Sequence, residues 1–249
     1  MTRSLSENGR SVWKAELLLP GSWRGATCVL LSDGRHHLVV DTGMPHEAPL
    51  ILNALEQRGL QPSDVTALIS THFHVDHILN NSLFPHCPIY ASQRSYDWCC
   101  SLYSDLQDDL HWEKLVLKYY PETLDYERAR ELMGKLRKLG LRMWDRRRMG
   151  APEQFVWIEN HSLPEGLVAH ITSGHVPGHL SVIVPNGAEP TVIAGDALLS
   201  RDHDDQILTM IPYNREEFRR DREGILSMSG RILPGHDEPF TAKEARVSD

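Results

Sequence analysis

The chain has little of several things, and each shortage excludes a class of protein. Its 249 residues include only four cysteines, Cys28, Cys87, Cys99 and Cys100, with no CxxC pair among them. Adjacent Cys99 and Cys100 are poorly placed to bridge one another. The expectation is reduced thiols in a cytoplasmic protein, with no disulfide framework. Met1 to Gly9 is polar, with neither an apolar core nor a small-residue cleavage site, so no export signal is read there. No apolar run approaches the length that spans a bilayer. Positive charge is also short: 26 Lys and Arg stand against 34 Asp and Glu, a formal net charge of -8. Proteins that hold nucleic acid normally present a basic face, so the charge balance weighs against that partner and favours a small-molecule substrate. Arg146-Arg147-Arg148 reads as a solvated helix end. No fixed-period repeat or low-complexity tract is present. What is left, 41% hydrophobic and 24% charged residues, describes an ordinary globular chain long enough for a sizeable core.

One stretch stands out, Ser70-Thr71-His72-Phe73-His74-Val75-Asp76-His77. Val65 to Ile69, just ahead of it, is short, apolar and partly β-branched, which reads as a buried strand. In an extended or irregular segment alternate side chains point the same way, so His72 and His74 can converge on one ion. Asp76 and His77 can face a second ion nearby. Neutral imidazole nitrogen and carboxylate oxygen are ligands that zinc favours, although iron and manganese take the same set.

Around this stretch the strand signals recur. Val12–Leu19, Ala26–Leu31 and His37–Val40 read as strands, the last two joined by a turn at Asp33-Gly34. Glu47–Arg58 carries apolar residues at helical spacing and stops at Gly59. Pro88–Ala91 is a further strand. From about residue 94 to 152 the strand signal almost vanishes, and Trp98–Leu117 and Tyr126–Leu139 read as amphipathic helices. This stretch is taken as a helical insertion within one domain spanning 1–249, serving as a cap or as the contact of a homodimer. Its aromatics Trp98, Tyr103, Trp112, Tyr119, Tyr120 and Trp144 are expected mainly to bury the helices, with a pocket lining as the alternative. Strands resume at Phe155–Ile158, Leu167–Thr172, Leu180–Val184 and Thr191–Ala194. A helix over Arg215–Met228 and a last strand at Arg231–Leu233 follow, with a frayed tail from Lys243.

Short apolar strands thus end in His72, His175, Asp196 and His236, the last three each preceded by glycine. Two sheets packed face to face would bring these strand ends to one rim. His72, His74 and His175 then hold one ion, Asp76, His77 and His236 hold the other, and Asp196 bridges them. His46, His86, His111, His161, His170 and His203, and the pair His36-His37, are read as surface or packing residues. The acidic cluster Asp202, Asp204 and Asp205 is read as a solvated loop.

The run Thr71-His72-Phe73-His74-Val75-Asp76-His77, then Ser173-Gly174-His175, Gly195-Asp196 and Gly235-His236, resembles the metallo-β-lactamase superfamily. That resemblance implies an α+β fold, a four-layered αββα sandwich with a two-zinc site on one rim, and the ligand division given above follows its pattern. It further implies that Asp41 steadies the metal loop and that His179 stays outside the ligand set. Within the superfamily, Leu38 to Pro45, Gln93 to Tyr96 and Ser173 to Ser181 are similar to the N-acyl-homoserine-lactone lactonases, and glyoxalase II-like members share the pattern. Two positions depart from the lactonases: Leu79-Asn80 replaces a pair of glycines, and Leu199 stands where a tyrosine contacts the substrate carbonyl.

The expected activity is hydrolysis of an ester, lactone or thioester by metal-bound hydroxide, with Asp76 as the catalytic residue that orients the nucleophile. A phosphodiesterase or nuclease of the same fold is the alternative. A di-iron redox member is a third class, and His74 speaks against it, because that pattern carries glutamate there.

Overall fold

The computed structural model describes residues 12–22, 25–108, 112–201 and 212–245. Among the described residues, eleven strands form two sheets. The first holds β1 (Lys14–Leu19), β2 (Cys28–Ser32), β3 (His37–Val40), β4 (Ala67–Ile69), β5 (Ile89–Ala91) and β6 (Phe155–Trp157), side by side in chain order. Its first three strands are antiparallel neighbours, and β3 to β6 run parallel. The second sheet has the order β11 (Phe240–Thr241), β10 (Arg231–Pro234), β9 (Thr191–Gly195), β8 (Leu180–Val184), β7 (Val168–Ile171). β11 follows the strand that was expected to be last.

Side-chain alternation explains the layering. Val29, Leu31, Leu38 and Val40 face inward and meet Leu180, Val182, Ile193 and Leu233 of the second sheet. Their neighbours Cys28, Leu30 and Val39 point the other way, against Ile51, Ala54 and Leu55 of α1 (Ala48–Glu56). On the far side, Val192, Ala194 and Ile232 cover Ile225 of a helix near the C-terminal end, described below. Helix, sheet, sheet and helix stack in four layers, the αββα sandwich expected from the sequence.

Between β5 and β6 the described chain is helical: α3 (Gln93–Asp105), α4 (Leu115–Tyr119), α5 (Tyr126–Met143) and α6 (Arg146–Met149), and a short helix, α2 (Val75–Ile78), lies earlier, in the His-rich stretch. α5 runs four residues beyond its expected end at Leu139; a Cβ at Gly140 would stand 3.1 Å from the ring of Tyr103, so glycine there lets the helix pass close to α3. Arg147 lies almost wholly in solvent and pairs with Asp145, in keeping with a solvated helix end. α7 (Arg215–Ser227) and α8 (Ala242–Ala245) complete the fold, so Lys243 is helical rather than frayed. His111 and the cluster Asp202, His203, Asp204 and Asp205 lie outside the described residues, as does the segment Met1 to Gly9. Among the described residues no helix is long and apolar enough to cross a membrane.

Candidate metal centre

The strand directions collect the site. β7 and β9 are each antiparallel to β8, and β10 is parallel to β9, so the chain leaves all three at the same edge of the second sheet. Those exits deliver His175, Asp196 and His236. The first sheet contributes through β4, whose exit leads to His72. Two cross-links hold the sheets in register there: Leu180 N–H donates to the Thr71 carbonyl at 2.9 Å, and Thr27 N–H to the Gly235 carbonyl at 2.8 Å.

All seven expected ligands meet at this rim, in two groups. His72, His74, His175 and Asp196 form one, and Asp76, His77 and His236 the other, with the donor atoms of each group within 4.8 Å of one another. Asp196 faces both. Its Oδ2 lies 3.3 Å from His175 Nε2 and 3.8 Å from His72 Nε2, and its Oδ1 lies 3.3 Å from both His77 Nε2 and His236 Nε2. Asp76 Oδ2 is 3.5 Å from His236 Nε2, and His74 Nδ1 is 3.1 Å from His175 Nε2. Two ligands of one tetrahedral zinc, each about 2.1 Å from it, stand about 3.4 Å apart. The spacings therefore suit a metal better than they suit direct contact.

Polar satisfaction points the same way. His72 Nε2, His77 Nε2 and Asp196 Oδ1 are buried without a hydrogen-bond partner, a costly condition unless something else binds them. Burial, reinforced by His77 and His74, holds the His72 imidazole well below its usual range. Burial lowers His74 to about 4 against the pull of Asp76 and Asp196, and it lowers His175 as well. These three rings are neutral, the form that ligates. Burial would also lower His77 and His236, but Asp196 and the other nearby carboxylates outweigh it, raising His77 well above its usual range and His236 to about 9. Burial likewise opposes ionisation of Asp196, yet His236 and His77 hold its carboxyl well below the usual range. The carboxylates in this half of the cluster demand positive charge.

The ligands are aimed by their neighbours. Asp41 has φ 55, the one positive φ outside glycine among the described residues, a region that aspartate tolerates better than most. Its carboxylate accepts from Thr71 N–H at 2.8 Å, Thr71 Oγ1–H at 2.7 Å and His77 Nδ1–H at 2.8 Å. Asp76 and His77, expected just beyond the extended run, lie on α2 and fall in a separate group from His72 and His74. Asn80, standing where a glycine pair was noted as missing, donates to the carbonyls of Thr42 at 2.8 Å and Met44 at 2.6 Å. Its amide thereby ties α2 to the loop that carries Asp41.

His179 stays outside both groups, as expected, yet it has a job that the sequence did not show. Asp196 N–H donates to His179 Nε2 at 3.0 Å, so the His179 proton sits on Nδ1 and goes to Thr172 Oγ1 at 2.7 Å. Thr172 then donates to Ser181 Oγ at 3.1 Å, and Ser181 to the Ala194 carbonyl at 2.8 Å. Burial keeps His179 neutral by lowering it to about 3, which preserves the chain of donors. The chain fixes the backbone on both sides of Gly195 and so aims Asp196.

Replacing Asp41 with alanine is expected to weaken metal binding by about 10–100-fold. It should also lower unfolding free energy by roughly 3 kcal/mol, since buried donors at Thr71 and His77 lose their acceptor. Metal titration and urea unfolding of the variant measure the two effects separately. Wild-type values for both would show that Asp41 does not hold the loop.

A sandwich of this topology with a His/Asp cluster on its rim defines a metallo-hydrolase architecture. Residues 21–94 match the model of the Metallo-beta-lactamase superfamily. The chain is 28% identical over 214 residues to Metallo-beta-lactamase domain-containing protein 1 of Xenopus laevis, covering 85% of this chain and 71% of that one. It is 29% identical over 238 residues to an N-acyl homoserine lactonase of Bacillus thuringiensis, covering 84% and 80%. A crystal structure from Thermotoga maritima, titled as a putative metallo-beta-lactamase, superposes with a TM-score of 0.59 at 18% identity, covering 92% of this chain and 99% of that one. Residues 21–94 carry a metallo-beta-lactamase superfamily domain, a class of metal-dependent hydrolases, and the rim cluster could hold metal.

Proposed function

We propose that the protein hydrolyses a small-molecule ester, lactone or thioester at a site holding two zinc ions. The observation that carries this reading is Asp196, whose two oxygens each face a separate group of imidazoles. Bound there, divalent ions supply a water of lowered pKa and a Lewis acid for the scissile carbonyl. The protein's own residues do the rest. His72, His74 and His175 offer neutral nitrogens to one ion, and His77, His236 and Asp76 complete the other set with Asp196 between. Asp76 is the proposed catalytic residue. Its Oδ2 lies against His236, while its side chain is 28% exposed, which leaves the second oxygen able to accept a hydrogen bond from the attacking water. Trp98 stands 6.0 Å from the partly exposed His74, with Tyr213 a further 6.2 Å on, against Trp98, and the two rings offer an apolar wall for an acyl or ring substituent. The likeness to the Bacillus thuringiensis lactonase supports a lactone as the first substrate to try.

Metal analysis of the purified protein, paired with turnover of lactones, thioesters and bis-p-nitrophenyl phosphate, tests the reading. About two zinc per chain with lactone or thioester turnover is the expected outcome. Two irons, or turnover confined to the phosphodiester, would move the protein to another branch of the fold.

A further inference from the structure

Five imidazoles serve the cluster, and each faces the same demand. The nitrogen aimed at an ion must be bare, so the other nitrogen carries the proton and needs an acceptor. For His77 the acceptor is Asp41 Oδ2, for His236 the Ser22 carbonyl at 2.9 Å, and for His72 the Thr71 hydroxyl at 3.1 Å. His175 Nδ1 is buried without one. The three acceptors belong to the sandwich and its loops. His74 is different. Its Nδ1 points into the cluster toward His175, so its proton must sit on Nε2, and the group beside Nε2 is Tyr120 Oη at 3.4 Å. Tyr120 comes from the end of α4, in the helical run, 46 residues further along the chain.

We propose that Tyr120 is the positioning residue for His74. Its phenol oxygen accepts the Nε2 proton and so holds the ring in the tautomer whose Nδ1 is free for metal. Packing supports the assignment. Phe73 and Val75, which alternate with the ligands His72, His74 and Asp76, turn away into a core shared with Cys99, Leu102, Val116 and Tyr120. The contacts that set the backbone at His74 are therefore those that set Tyr120. Trp98 closes the arrangement, its ring tilted 6.0 Å from His74 and edge-on 5.8 Å from Tyr120. The helical run is in this sense part of the metal site and not only a cover for it. The proposal rests on the cluster binding metal and is independent of the substrate.

The test is zinc titration of metal-stripped Tyr120→Phe against a chromophoric chelator, with thermal unfolding of the metal-free form as the check on folding. One of the two zinc equivalents should weaken by about 10–100-fold while the other keeps its wild-type affinity. Tyr119→Phe is the control: that hydroxyl donates to Asp105 at 2.7 Å, so both zinc affinities should hold. In zinc-loaded wild-type protein, nuclear magnetic resonance should show a slowly exchanging His74 Nε2 proton with cross-relaxation to the Tyr120 ring. Unchanged zinc affinities in a folded Tyr120→Phe protein would overturn the proposal. So would a His74 Nε2 proton that exchanges freely with water, which decides the matter even if the variant fails to fold. Should the substrate panel stay silent while Tyr120→Phe weakens zinc, the hydrolase reading fails and this one stands.

Discussion

Asp196→Ala is expected to reduce hydrolysis by more than about 100-fold, beyond what the loss of an outer hydrogen-bond partner costs a metal site. Bound metal should fall from two ions per chain to one or fewer. The reason is geometric: Oδ2 faces His72 and His175, Oδ1 faces His77 and His236, and alanine removes both at once. The imidazoles then lose the one carboxylate common to the two groups. Asp196→Asn separates the roles. It keeps a carbonyl oxygen for one group and presents an amide, which cannot ligate, to the other, so a single retained ion is the expected result. Metal content by elemental analysis and turnover on the same sample decide the point. An alanine variant with full metal and full rate would remove Asp196 from the site.

Gly174→Ala is expected to carry the largest stability cost of any single methyl group near the site. A Cβ there would lie 2.1 Å from Phe218 N and 2.2 Å from Phe218 Cα, both backbone atoms in the first turn of α7. α7 cannot step back without losing its grip on the His175 loop. Asn214 N–H donates to the Gly174 carbonyl at 3.0 Å, Tyr213 N–H to the His175 carbonyl at 3.0 Å, and Gly174 N–H to Asp221 Oδ2 at 2.9 Å. Overpacking against backbone puts the cost near the top of roughly 1–3 kcal/mol, a fall in Tm of about 6–12 °C for a chain of this size. Metal affinity should fall with it, because His175 moves with residue 174. Gly224→Ala is the counterpart. That glycine sits within α7 with nothing inside 4 Å of its would-be Cβ, so alanine should leave stability unchanged or raise it by up to about 1 kcal/mol. Calorimetry of both variants compares them directly. Equal Tm values would show that the approach of α7 to residue 174 is not tight.

Much of the site was legible because its ligands sit at strand ends, where short apolar runs and following glycines mark the exits. His72, His74, Asp76 and His77 lie within six positions, and local spacing alone brings them near one another. His36 was correctly placed at the surface, whereas its neighbour His37 is half-buried with Nδ1 enclosed. The aromatics of the helical run were harder. Tyr103, Tyr119 and Tyr120 are buried as expected of packing residues, yet Tyr120 also reaches His74, and no spacing rule links positions 46 apart. His179 and Asn80 were equally opaque. Their work consists of hydrogen bonds to backbone atoms brought close by folding, and a backbone acceptor leaves no trace in side-chain pattern.

The division between the two levels follows from range. Alternation within strands, the residue types at their ends and the charge balance are local properties, and from them came the strands, the seven candidate ligands and the expectation of a small-molecule rather than a nucleic-acid partner. The four-layered sandwich came from the resemblance of the motifs to a known superfamily. The tertiary structure decided which nitrogen of each ring faces the cluster, which carboxylate oxygen faces which group, and that a helix from the far side of β5 closes on the metal loop. Those are matters of angle and of a few ångströms. They depend on how two sheets and a helical run pack against each other, which no single segment encodes.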